Sequence, residues 1–146
     1  YETFTIELND INSKGGAFLK IIWENTMVKI PIKSKEDDTI LALIDKHLIT
    51  AKTQDPALLF QAANYYYSTN RDYRQAIMWL EEAEKLNPEN FYYPNLRQKI
   101  ASESKDYINA IDAAKKALAL AEKEKMKSTI EMLKEKINNW ETLLKK

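Results

Sequence analysis

The chain has 146 residues, enough to bury one moderate core. Its 22 basic and 22 acidic residues cancel, so no basic field draws in phosphate backbones or anionic lipid, and nucleic acid is not an expected partner. Cysteine is absent, which removes disulfides, thiol nucleophiles and Cys-ligated zinc together, and no stretch approaches the ~18 to 20 apolar residues of a membrane span, so no membrane insertion is expected.

Residues 1–33 have β texture. Tyr1 to Leu8 alternates, with Phe4, Ile6 and Leu8 on one face and Thr3, Thr5 and Glu7 on the other. Asn9 to Gly16 is rich in turn formers and holds the only two glycines, Gly15 and Gly16, which predicts a reversal. Ala17 to Trp23 and Met27 to Ile32 supply two further strands, the last an edge or strand end because Pro31 cannot donate a ladder hydrogen bond. Three short strands need cover. The chain opens on Tyr1 inside a strand, without a signal segment, so this part is expected to be the end of a truncated N-terminal β domain, with exposed edges as an alternative dimerisation surface.

From Ser34 onward the period becomes helical. Ser34 and Asp37 resemble a capping pair, and Ile40, Leu41, Leu43, Ile44, Leu48 and Ile49 predict a helix over 36–52. Asp55 and Pro56 start a second helix to about 69. A third runs from the turn at Asn70 to Asp72 as far as Leu86, where Asn87-Pro88-Glu89-Asn90 breaks it. Pro94 marks the first turn of a fourth, ending near Glu103, and a fifth spans about 106–121. Met126, Ile130, Leu133, Ile137, Trp140 and Leu144 then form one narrow stripe, as expected of a terminal capping helix within 125–146.

Asp72-Tyr73-Arg74-Gln75-Ala76-Ile77 recurs 34 residues later as Asp106-Tyr107-Ile108-Asn109-Ala110-Ile111. A 34-residue period resembles the tetratricopeptide hairpin, whose alanines let two helices touch while aromatics fill the gap to the next repeat. Residues 57–90 supply Phe60, Ala63, Asn64 and Tyr67, then Ala76, Leu80, Ala83 and Pro88 at the pattern's positions. Asn64 departs from the small residue expected at the helix crossing, which predicts looser or hydrogen-bonded packing. The second copy, 91–124, keeps Ala110, Ala114 and Ala117, but Arg97 and Ala101 replace the leucine and tyrosine, Pro94 the aromatic and Glu122 the proline. The predicted fold is therefore mainly α: a right-handed tetratricopeptide-like stack of about six helices over 34–146, preceded by a short three-stranded antiparallel β segment over 1–33.

Trp23-Glu24-Asn25-Thr26 followed by alternating Val28, Ile30, Pro31 and Ile32, together with Ala62-Ala63-Asn64-Tyr65-Tyr66 and Gln75-Ala76-Ile77-Met78-Trp79-Leu80, resembles the C-terminal part of the bacterial family called domain of unknown function 2911. The resemblance covers nearly the whole chain. It implies an exported protein of the periplasm or cell envelope with a β-rich N-terminal domain, and it implies no activity.

His47 is the only histidine and has no neighbours at ligand spacing, so it reads as a surface or packing residue near a helix end. Glu81, Glu82 and Glu84 alternate with alanine and lysine as a solvated face does. Gly15-Gly16 lacks the lysine and helix start of a phosphate loop. No catalytic, metal or cofactor-binding residue is predicted, and enzymatic activity is not expected. Tyr65, Tyr66 and Tyr67 point in three directions about 100° apart on a helix, so they cannot all be core. Gln61 and Tyr65, with Tyr92, Asn95 and Lys99 in the next repeat, occupy the positions that line a tetratricopeptide groove. Gln61 and Tyr65 stand where a chaperone-type carboxylate clamp needs lysine and asparagine, so that clamp is not supported.

The expected role is a non-catalytic protein-interaction or scaffolding module, taking a protein or peptide or the parent's own β domain. One alternative is support for a small-ligand-binding or catalytic β domain. Another is a structural homodimer joined through strand edges.

Overall fold

The structure, a computed structural model, describes residues 3–12 and 15–145. Tyr1, Glu2, Ser13, Lys14 and Lys146 lie outside the described residues, including the start of the first predicted strand and part of the predicted reversal. The chain is mainly helical, with a three-stranded antiparallel sheet at its start. It divides into two compact units, Tyr1–Ala51 and Lys52–Lys146.

In the first unit, β1 (Thr5–Asn9), β2 (Gly16–Trp23) and β3 (Thr26–Lys33) lie side by side in chain order. Ile6 stands opposite Ile21 and Leu8 opposite Leu19; across the other ladder Leu19 faces Ile30 and Ile21 faces Val28. Because side chains alternate along a strand, this register gathers these aliphatic residues on one face, while Phe18, Ile22 and Met27 fall on the other. Glu7, Lys20 and Lys29 occupy the other, where Lys29 pairs with Asp10 at 3.0 Å and lies 3.9 Å over the Phe18 ring. Pro31 sits on the edge strand, where a missing amide is tolerated. Gly15 takes φ 75°, in the left-handed region that suits glycine, and its carbonyl accepts from the Ser34 amide at 2.8 Å.

Helix α1 (Glu36–Ile44) begins with Glu36, Asp37 and Asp38, acids that suit a helix N-terminus, and Ser34 Oγ accepts from the Glu36 amide at 3.1 Å. The predicted helix over 36–52 is not one regular α-helix. After Ile44 it widens into a π-helical turn, Asp45–Thr50, and Ala51 N donates to Lys46 O at 3.1 Å. Ile44 and Leu48 are buried as the apolar spacing requires. Over a single turn that spacing is the same for both helix types, so it cannot reveal which carbonyl accepts.

The second unit consists of α2 (Pro56–Ser68), α3 (Tyr73–Leu86), α4 (Tyr92–Glu103), α5 (Tyr107–Lys123) and α6 (Lys127–Leu144). Each packs on the next, and α2 also reaches α4. The sequence echo has a physical meaning at the helix starts. Asp72 Oδ1 accepts from Gln75 N at 3.1 Å and Asp106 Oδ1 from Asn109 N at 3.2 Å, the same cap at equivalent positions. Asp55 caps α2 through Ala57 N at 2.9 Å, with Pro56 at the first helical position. Helix α4 starts two residues before Pro94, because Asn90 Oδ1 accepts from the Tyr92 amide at 2.9 Å and proline fits in a first turn.

The turns that follow α2, α4 and α5 also match. Arg71 N donates to Tyr66 O, Asp106 N to Ala101 O and Met126 N to Ala121 O, at 2.8–2.9 Å, around Asn70, Lys105 and Lys125 at φ 51°, 60° and 57°. This is the left-handed turn that satisfies carbonyls at a helix end, built here without glycine.

Alanine lets the helices approach. Ala63, Ala76, Ala83, Ala101, Ala110, Ala114, Ala117 and Ala121 are fully buried, with Leu80, Ile100 and Leu133 among them. Tyr66 meets Trp79 edge-on at 4.9 Å, and Phe60 meets Tyr93 at 5.4 Å. Asn64 is not at the crossing: α2 buries Leu59, Ala62 and Ala63, and Asn64 falls on the exposed face beyond them.

Candidate functional site

Three places in the helical unit concentrate polar groups. The first is the face of α4 that carries Tyr92, Asn95 and Lys99, spaced three and four residues apart on one side of the helix. Tyr92 is 63% exposed with its ring edge-on to Phe91 at 5.8 Å; Lys99 is exposed; Asn95 is half-buried and its Oδ1 accepts from Gln98 Nε2 at 3.3 Å. On α2, Gln61 is exposed and Tyr65 half-buried. The Tyr65 ring faces the Arg71 guanidinium, 5.8 Å away, so it is engaged with the α2–α3 turn. Helix α2 meets α4 through other side chains, Phe60 on Tyr93 and Tyr67 on Glu103.

Helix α6 adds a residue that the sequence did not single out. Burial, and after it the positive charge of Lys99, lower the pKa of Lys136. Among the described residues neither lysine has an acidic partner within ion-pair distance. The clue in the sequence is the position of Lys136 beside Ile137, at the margin of the apolar stripe.

The second place is a cleft of about 530 Å³ between α3, α4 and α5, with Glu81, Glu84, Arg97, Asp112 and Lys116 among its lining residues. The Arg97 side chain is only 2% exposed. Its Nε donates to Glu84 Oε1 at 2.6 Å, and its Nη2 to Glu84 Oε2 at 3.1 Å and Asp112 Oδ2 at 3.0 Å. Lys116 adds contacts of 3.5 Å to both acids. Burial opposes the charge on Arg97, but the two carboxylates outweigh it and raise its pKa. Burial likewise opposes charge on Asp112, yet Arg97 and Lys116 together hold its carboxyl below the usual range. Glu81, Glu84, Arg97, Asp112 and Lys116 all pair with one another, which is the arrangement of an internal brace and not of an unfilled binding site.

A third polar group joins α2, α3 and α4 at one end. Tyr67 donates to Glu103 Oε1 at 2.5 Å, while the Tyr73 hydroxyl lies 3.2 Å from Glu103 Oε2 and 2.9 Å from Asn70 Oδ1. The Glu103 hydrogen bond and burial push the Tyr67 phenol up to about 12. Its folded pKa exceeds the ordinary value of 10.0, so the folded protein holds this proton more tightly than the unfolded chain. The stability it contributes is complete below pH ~10 and lost as pH rises toward ~12. Urea midpoints between about pH 9 and about pH 11 are expected to fall more steeply in the wild type than in Tyr67→Phe.

Among the described residues no group of three or more His, Asp or Glu side chains could hold a metal, and no helix is long and apolar enough to cross a membrane. No protein-family model and no curated protein matches the chain.

Proposed function

We propose that the helical unit is a non-catalytic interaction module of the tetratricopeptide type that binds an extended peptide segment along α4, with flanking contacts from α2 and α6. The observation that carries this is the open stripe of Tyr92, Asn95 and Lys99 on an otherwise packed helix, beside the uncompensated Lys136. Tyrosine offers apolar area with a polar end, asparagine can pair with a peptide backbone, and two neighbouring ammonium groups favour acidic side chains. Gln61 and Tyr65 extend the same surface onto α2. The resemblance to the domain of unknown function 2911 family supports placing the protein in the periplasm or cell envelope.

Selection from a displayed library of random peptides tests this. Acidic peptides are expected, with binding weakened at least about tenfold by combined Tyr92→Ala and Lys99→Ala and weakened further by salt. Both residues are exposed, so the thermal midpoint should stay unchanged. Failure to enrich any peptide, or binding indifferent to both substitutions, refutes the groove.

A further inference from the structure

We propose that the aliphatic face of the β1–β3 sheet docks on the same face of a second copy of this chain, closing a two-sheet sandwich across a two-fold axis. The proposal is independent of the peptide groove. The register sets Ile6, Leu8, Leu19, Ile21, Val28 and Ile30 at the centre of that face, with Ala17, Trp23 and Ile32 beyond them. No charged side chain interrupts it.

An antiparallel sheet that alternates in this way ordinarily buries its apolar face and solvates the other. Here every charged strand residue at the centre of the sheet, Glu7, Lys20 and Lys29, lies on the opposite face, interspersed with Phe18, Ile22 and Met27. The aliphatic face is nevertheless open: Ile6 is 58% exposed, Leu8 55%, Val28 49% and Ile30 41%. Three strands about 4.8 Å apart, each contributing some 20 Å of length, give a footprint of roughly 300 Å². With side-chain relief counted, two such faces in contact remove on the order of 1,000 Å² from water, the lower bound for a specific interface.

A second copy fits this face for two physical reasons. A contact across a two-fold axis places each patch against itself, so it needs a surface without charges to oppose each other, and this one has none. The chain's 22 basic and 22 acidic residues also cancel, so two copies do not repel at long range. Pairing through strand edges would leave the aliphatic face in water, and on the β3 edge it would meet Pro31.

The absence of cysteine makes the test clean. Sedimentation of the full chain from about 1 to 300 µM should show the mass rising from one chain to two. Ile30→Lys should weaken that association at least about a hundredfold, because it places a like-charged pair inside a dry contact. Leu19→Cys, on the aliphatic face, should be joined to a second copy by a short bis-maleimide, and Lys20→Cys, on the opposite face, should not. A one-chain mass throughout the range overturns the proposal, as does a dimer that Ile30→Lys leaves intact or one that crosslinks equally through position 20. The crosslinking pair decides the matter even if Ile30→Lys disturbs the sheet, since both cysteine variants preserve the core.

Discussion

Glu84→Gln is expected to destabilise the helical unit by about 3 kcal/mol, whereas Glu84→Gln combined with Arg97→Leu should return to within ~1–2 kcal/mol of the wild type. The single change leaves a guanidinium that is 2% exposed with its bidentate partner neutralised and only two half-exposed acids to compensate, Asp112 at 3.0 Å and Glu81 at the longer distance of 3.9 Å. A buried charge that loses its partner cannot recover water, so the penalty is mainly desolvation. The double change removes both charges and puts back the leucine that a regular repeat carries at this position. Urea denaturation of the four proteins in the cycle measures the coupling. If Glu84→Gln costs less than ~1 kcal/mol, the Arg97 brace is worth no more than a surface ion pair.

That brace marks the limit of what the sequence reveals. Asp72 and Asp106 were legible as helix starts because capping chemistry is local: one side-chain oxygen and an amide three residues on. The buried alanines were legible because a small residue at fixed spacing has one common use, close helix approach. Arg97 reads as a failed leucine, because the residues that justify it lie 13 positions before and 15 after, on other helices. The π-helical turn at Asp45–Thr50 escaped for a related reason: it depends on which backbone carbonyl finds a donor, and hydrophobic period does not carry that. For the groove residues, spacing alone puts Tyr92, Asn95 and Lys99 on one helix face. It could not show that Tyr65 leans toward Arg71 or that the charge of Lys99 is felt at Lys136.

Leu133→Ala is expected to cost about 2–5 kcal/mol, and the loss should appear first at one end of the molecule. Leu133 is fully buried, and with Ile137 and Trp140 it is how α6 docks on a surface made largely by Ala110, Ala114, Ala117 and Ala121 of α5. Alanine offers little side-chain volume that could shift to fill the void, so most of the cavity should persist. In a chain where each helix packs mainly on the next, stability is close to a sum of neighbour contacts, and damage to the last one need not spread. Amide exchange of Leu133→Ala should therefore rise steeply in α6, moderately in α5, and little in α2 and α3, where Tyr66 on Trp79 and the buried Leu80 are untouched. Uniform acceleration across all five helices would instead mean that α2–α6 unfold as one cooperative body. The distinction bears on binding, because Lys136 lies on α6 and one turn separates it from Leu133. If α6 releases alone, peptide affinity at the α4 face should fall in Leu133→Ala even while the α2–α3 hairpin remains folded.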